Sequence, residues 1–234
     1  MGIWVFVLVG VAIVTIAVYS EMQRRRALGP VAEGLGLGFS PGQQPLSPAL
    51  DAAGFYLFTQ GPPEVLNLMH GRRGGHEVAL FGYGYDAPQG EEGSREIPVG
   101  DAGQIERRLQ TVLWVQAAGR PLPDFDLSPT RESLRRVAQR FGLLPAQIEG
   151  RADFRDRYLL FARDPDALRR VFRPAVVDAL VADPGWFIEG RGNQWLLYRV
   201  KERVAPEAMG AFLDRGLALI ETLLRTVPGS QPPG

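Results

Sequence analysis

The chain has 234 residues, a formal net charge of zero, 45% hydrophobic and 22% charged residues, and no cysteine. That much apolar surface supports a packed core and excludes a disordered chain. Zero net charge argues against a dedicated nucleic-acid binder, which needs a basic surplus to displace counterions from phosphates. Without cysteine there is no disulfide framework, thiolate nucleophile or iron–sulfur site.

The stretch from Ile3 to Tyr19 (IWVFVLVGVAIVTIAVY) is almost wholly apolar. As a helix it covers about 26 Å at roughly 1.5 Å per residue, close to a bilayer's hydrocarbon thickness. It carries no basic n-region and no small-residue cleavage site, so the expectation is an uncleaved anchor over residues 1–22. Arg24, Arg25 and Arg26 follow it, and no Arg or Lys precedes it. The positive-inside rule then predicts a single-pass protein of the inner (plasma) membrane, N-terminus outside and C-terminal domain cytoplasmic. The three arginines also suit a weak contact with anionic lipid.

Beyond the anchor, Ala27 to Leu35 is predicted to continue as a helix, ended by Gly34, Gly36 and Gly38. Pro41 to Pro48 is expected to be a loop and Phe55 to Phe58 a strand. A turn or short helix from Pro62 leads into Val65–Met69. The glycines of Gly71-Arg-Arg-Gly-Gly75 predict a turn, with Val78 to Tyr85 returning as the second arm of a hairpin. Asp86 to Glu96 is expected to be an exposed loop, with Glu91-Glu92 as solubilising charges. Gln110 to Gln116 is predicted to be a strand.

Ser128-Pro129 marks a helix start, with Leu134, Val137, Ala138 and Phe141 on one face and Gly142 closing it. Tyr158 to Ala162 is a predicted strand. Asp164-Pro165 opens a helix that Pro174 kinks or restarts, continuing to about Ala182. Trp186–Glu189 and Gln194–Val200 are predicted to form a hairpin. Pro206 starts the last helix, whose Met209, Leu213, Leu217, Ile220 and Leu224 recur at helical spacing and face the core. Trp114, Trp186 and Trp195 are assigned to the core. Val227 to Gly234 is read as a disordered tail.

The expected fold class is α+β: an N-terminal transmembrane helix and a mixed domain made of a first half (23–127) and a second (128–226). Ala32–Leu37 is similar to Ala138–Leu143, Tyr56–Phe58 before Pro62 to Leu159–Phe161 before Pro165, and Gly74–Phe81 to Gly192–Tyr198. These matches suggest two duplicated helix-strand-helix-hairpin units. The alternative is chance recurrence of short apolar words.

Catalytic motifs are scarce. Gly38-Phe-Ser-Pro-Gly42 has the G-x-S-x-G form around Ser40, but Pro41 lacks the N–H that an oxyanion hole takes from that position. The glycines at 34, 36 and 38 lack the third glycine of a dinucleotide fingerprint, since Phe39 occupies its place. No cofactor is implied. His70 and His76 flank one turn and, with Arg72 and Arg73, form the candidate site for an ion or phosphate; a metal needs a further ligand, for which Glu77 and Asp86 are the nearest carboxylates.

The words Asn67-Leu-Met-His-Gly71, Val78-Ala-Leu-Phe-Gly-Tyr-Gly-Tyr85 and Leu122-Pro-Asp-Phe-Asp-Leu-Ser-Pro129, behind an apolar span and an Arg-rich helix, resemble a group of bacterial membrane-anchored proteins of unknown function. The resemblance implies architecture and topology and supplies no catalytic residues. The leading expectation is a membrane-tethered, non-catalytic module that binds a protein or lipid partner. It touches the bilayer through residues 3–19, engages a membrane protein and binds no nucleic acid. The rival is a hydrolase-like or metal-dependent enzyme with its site near His70 and His76.

Overall fold

The computed structural model describes residues 2–88, 105–117, 121–129 and 142–225. The expected helix after Pro129, the Glu91-Glu92 loop and the tail from Val227 lie outside the described residues.

Among the described residues nine strands form one sheet in the order β1-β2-β3-β4-β9-β8-β5-β7-β6. They are β1 (Gly38–Gln44), β2 (Glu64–Arg73), β3 (His76–Pro88), β4 (Ile105–Gln116), β5 (Leu122–Ser128), β6 (Leu144–Pro145), β7 (Leu159–Ala162), β8 (Phe187–Gly192) and β9 (Gln194–Tyr198). The neighbouring strands pair antiparallel throughout. The helices are α1 (Gly2–Gly34), α2 (Pro48–Ala52), α3 (Ala152–Arg155), α4 (Pro165–Val171), α5 (Pro174–Ala182) and α6 (Met209–Arg225), with 3-10 turns at Tyr56–Thr59 and Pro206–Ala208.

Local chemistry accounts for several of these elements. Gly74 and Gly75, at φ +59° and +82°, turn β2 into β3 with the two consecutive left-handed residues of a type I′ hairpin. Asp164 caps α4 by accepting from the Ala167 N–H at 2.9 Å, ahead of Pro165 in the first turn. α1 ends in a Schellman motif, with Leu37 N–H donating to Ala32 O at 2.8 Å, Gly36 N–H donating to Glu33 O at 3.0 Å and Gly36 at φ +71°.

Among the described residues no helix is long and apolar enough to cross a membrane. This overturns the expected transmembrane anchor, and with it the single-pass inner-membrane placement and the topology assigned to Arg24, Arg25 and Arg26. The physical reason lies in how α1 ends. The expected continuation past the apolar run is present, one helix to Gly34, but its last turns belong to the domain core, where Leu28 and Ala32 are buried. Arg24 donates to Val204 O at 2.7 Å, and Glu21 accepts from Arg203 and Asn67. These charges are tied to the domain.

Two layers cover the sheet. One face carries Val78, Leu80, Leu113, Val115, Leu197 and Ile188 against α1, α4, α5 and α6. α6 lays Phe212, Leu213, Gly216, Leu217 and Ile220 on this face, the spacing expected of a helix with one apolar stripe. The opposite face carries Phe81, Tyr83, Val112, Leu196 and Tyr198, and it is covered by Leu50, Phe55 and Leu57 from residues 45–60. This segment is called the strap below.

Further expectations are corrected. Gly38–Gln44 is an edge strand with a bulge between Ser40 and Gln43, where Pro41 and Gly42 interrupt the ladder, so the expected loop begins only after Gln44. Asp86 to Pro88 pair with β4 through Arg107, Glu106 and Ile105, so the first three residues of the expected loop belong to a strand. Tyr56–Thr59 is a 3-10 turn and Leu159–Ala162 a sheet strand, so the proposed duplicate units differ at their second element and the fold is a single mostly antiparallel sheet with helices.

Gly190 sits on β8 where a Cβ would meet Phe125 Cε1 at 2.5 Å. Gly190→Ala overpacks this strand crossing and is expected to lower stability by about 2 kcal/mol, read as a lower urea midpoint at unchanged slope.

Candidate functional site

β8 and β9 form a tight hairpin in which Gly192 has φ +61°. Strand alternation points Glu189 and Arg191 to the strap side. Asp126 of β5 lies directly opposite Glu189 in register. Two carboxyls and one guanidinium are thereby collected under the strap, with Glu189 3% and Asp126 1% exposed.

Glu189 acts as an acceptor hub. Its Oε2 accepts from the Tyr56 N–H at 2.5 Å, and its Oε1 accepts from the Leu57 N–H at 3.1 Å and the Tyr198 hydroxyl at 2.9 Å. Tyr56 and Leu57 open the 3-10 turn, so the carboxyl takes two N–H groups that have no partner within the turn. Arg191 donates to Asp126 Oδ1 at 2.7 Å, to Phe125 O at 3.0 Å, to Gly190 O at 2.8 Å and to Gly54 O at 3.3 Å. Its guanidinium also lies 5.9 Å from the Phe55 ring centroid. Tyr83 donates to Leu57 O at 3.2 Å.

Burial pushes the Glu189 carboxyl up to about 7, helped by the neighbouring Asp126 and opposed by Arg191. Asp126 is raised by burial in spite of its contact with Arg191. Burial works against the Arg191 charge, but the two carboxyls outweigh it and the group stays cationic. Burial, then Glu189, drives the Tyr198 phenol well above its ordinary value. Two buried carboxyls with raised proton affinity are the raw material of acid–base chemistry. Here the Glu189 oxygens already accept from the strap backbone and from Tyr198.

A second polar cluster lies where α1 meets the sheet. Asn67, at φ +54° on the β2 bulge, accepts from the Gly42 N–H at 3.0 Å and donates to Glu21 at 2.9 Å. The left-handed conformation suits Asn better than most side chains. Beside it is a cleft of about 10 Å³, bordered by Arg24, Gln110 and Arg203. Such a volume holds a single water molecule, not a lipid chain.

The residues singled out from sequence are separated by the register. Arg73 pairs with His76 and His70 with Ala79, so His70 and His76 point to opposite faces of the hairpin. His70 lies over Gly38 of the edge strand. On the His76 side, Arg73 is 3.7 Å from Asp214 of α6, and Arg72 is exposed on the other side. Among the described residues no group of three or more His, Cys, Asp or Glu is placed to hold a metal ion.

Asp126, Glu189 and Arg191 were not singled out from sequence. Their signal is a charge in the middle of an apolar strand word, as in Phe125-Asp-Leu127 and Ile188-Glu-Gly-Arg191.

A one-sheet, mostly antiparallel α+β domain with its polar centre locked beneath a strap is the class these observations define. No family model matches the sequence, and no curated protein matches it. Among solved structures the chain is similar to the mycobacterial trehalose monomycolate transport factor A, TtfA, at 16% identity and a TM-score of 0.53, covering 90% of this chain and 97% of that one. At that identity the likeness is one of fold.

Arg191→Met leaves two buried carboxyls without their cation and is expected to cost about 3–5 kcal/mol. Arg163→Met removes an ion pair to Asp124 whose arginine is mostly exposed, and should cost less than about 1 kcal/mol. Chemical denaturation of the two variants side by side checks the contrast.

Proposed function

We propose that this protein is a non-catalytic accessory factor in the transport of an acylated lipid, acting through surface contacts with a partner. The observation that carries this reading is the likeness in fold, spanning nearly the whole of both chains, to a trehalose monomycolate transport factor. The interior supports it. The buried Glu189 carboxyl under the strap accepts from backbone and phenol groups, and the cleft beside α1 holds no more than one water. Neither of these two places accommodates an acyl chain, which fits a role exercised through surface contacts. The enzyme reading loses its geometric basis when His70 and His76 face apart.

Depleting the protein in its own host and following newly labelled lipid tests the proposal. The expected result is that acylated lipid accumulates inside the cell and falls at the outer surface. Complementation by a His70→Ala, His76→Ala double variant should restore the distribution fully. An unchanged lipid distribution on depletion overturns the transport role, and failure of the double variant, despite normal levels, revives the enzyme.

A further inference from the structure

The strap is held over the sheet by two kinds of contact. Leu50, Phe55 and Leu57 are buried against Phe81, Val112 and Leu196, and these apolar contacts do not respond to pH. The polar contacts centre on one small group, in which Glu189 receives the Tyr56 and Leu57 amides and Arg191 reaches Gly54 O, and Tyr83 beside it donates to Leu57 O. Charge counting within that group is informative. Two ionised carboxyls against one guanidinium leave a net negative charge in a place where water does not reach, which is costly. One proton on the pair removes it. A place for that proton is visible in the structure: Asp126 Oδ2 is buried without a hydrogen-bond partner, on the residue directly opposite Glu189.

We propose that Asp126 and Glu189 share one proton in the closed structure, and that loss of this proton releases the strap, making residues 45–60 a pH-sensitive cover over the apolar sheet face. One proton on the pair balances the guanidinium charge while Glu189 continues to accept from the strap amides. When both carboxyls are ionised, the trapped charge is relieved by lifting the strap and admitting water.

The other ionisable groups around Glu189 are Arg191 on its own strand, Asp124 beside Asp126 on β5, Tyr198 on β9, Tyr83 and Tyr85 on β3, and Tyr56 of the strap itself. The tyrosines at 83 and 198 are pushed above their ordinary values and stay neutral across the range concerned. Asp124 accepts from the Gly192 N–H at 3.1 Å and lies 3.3 Å from Arg163, at the rim of the group.

The sign follows from linkage. A carboxyl near 7 when closed and near its ordinary 4.5 when open binds more proton in the closed state. The strap is therefore most secure below the lower value, weakens as pH rises between the two, and levels off above the upper one. Over that window the opening equilibrium changes by up to about tenfold per pH unit.

Hydrogen exchange of the full chain, corrected for the intrinsic pH dependence of exchange, tests this at pH 5 and pH 8. The expected result is that protection of peptides covering 54–59 falls by about tenfold or more at pH 8, with a parallel rise in fluorescence of an apolar-surface dye, while α6 is unaffected. Protection that stays the same at both pH values overturns the proposal, whatever the variants do. Glu189→Gln places an amide where the protonated acid would be, and its strap should stay protected at both pH values. Asp126→Asn leaves one carboxyl for one guanidinium and should move the response to lower pH. If either folded variant keeps the wild-type response, the shared proton is ruled out.

Discussion

The pairing of β4 with β9 is the contact on which the rest of the structure depends. Five consecutive register pairs, from Val112 opposite Tyr198 to Gln116 opposite Gln194, join the ladder of β1–β4 to the remaining strands. Because side chains alternate, this seam places Val112 and Tyr198 on the strap side, and Leu113 and Leu197 on the helix side. Without it, β1–β4 and β5–β9 would be two smaller ladders, each with an unpaired edge in the middle of what is now a continuous core. The seam also sets how closely α6 approaches. Gly216 lies against Leu113 and Leu197 from the two joined strands, and a side chain there would collide with Leu113.

The same continuity creates the buried polar group. Asp126, Glu189 and Tyr198 come from three strands, and only their neighbouring positions in one sheet bring them within reach of each other. Burying such groups opposes folding unless their hydrogen bonds are made. Here the bonds are made to the strap backbone, so the cost of burial and the ordering of residues 54–57 are coupled. Ion pairs such as Arg169 with Asp166, largely open to solvent, contribute little by comparison.

α1 shows how tertiary contacts change the meaning of a sequence signal. Three consecutive arginines after an apolar run suggest a membrane boundary when nothing else is known. In the fold, Arg24 reaches Val204 O, and its neighbours Glu21 and Leu28 are engaged by Arg203 and by the core. What ends the helix is local, a Schellman turn at Gly36, whereas what anchors it to the domain comes from residues far along the chain, Asn67, Arg203 and Val204.

Local features were legible in proportion to how local their physics is. The Gly74-Gly75 turn, the Asp164-Pro165 cap, the β8–β9 hairpin and the stripe of α6 follow from φ preferences, capping and periodicity, and the structure contains each of them. The candidate histidine site was not legible, because whether His70 and His76 face each other depends on a register set by a two-residue turn. Asp126 and Glu189 looked like ordinary strand residues, since no local pattern says that a carboxyl on one strand will lie opposite a carboxyl on another. The sequence by itself therefore determined turns, caps and which residues are apolar. Only the tertiary structure decided the strand order, the separation of the histidines and the charges trapped beneath the strap, because these depend on contacts between residues far apart in the chain.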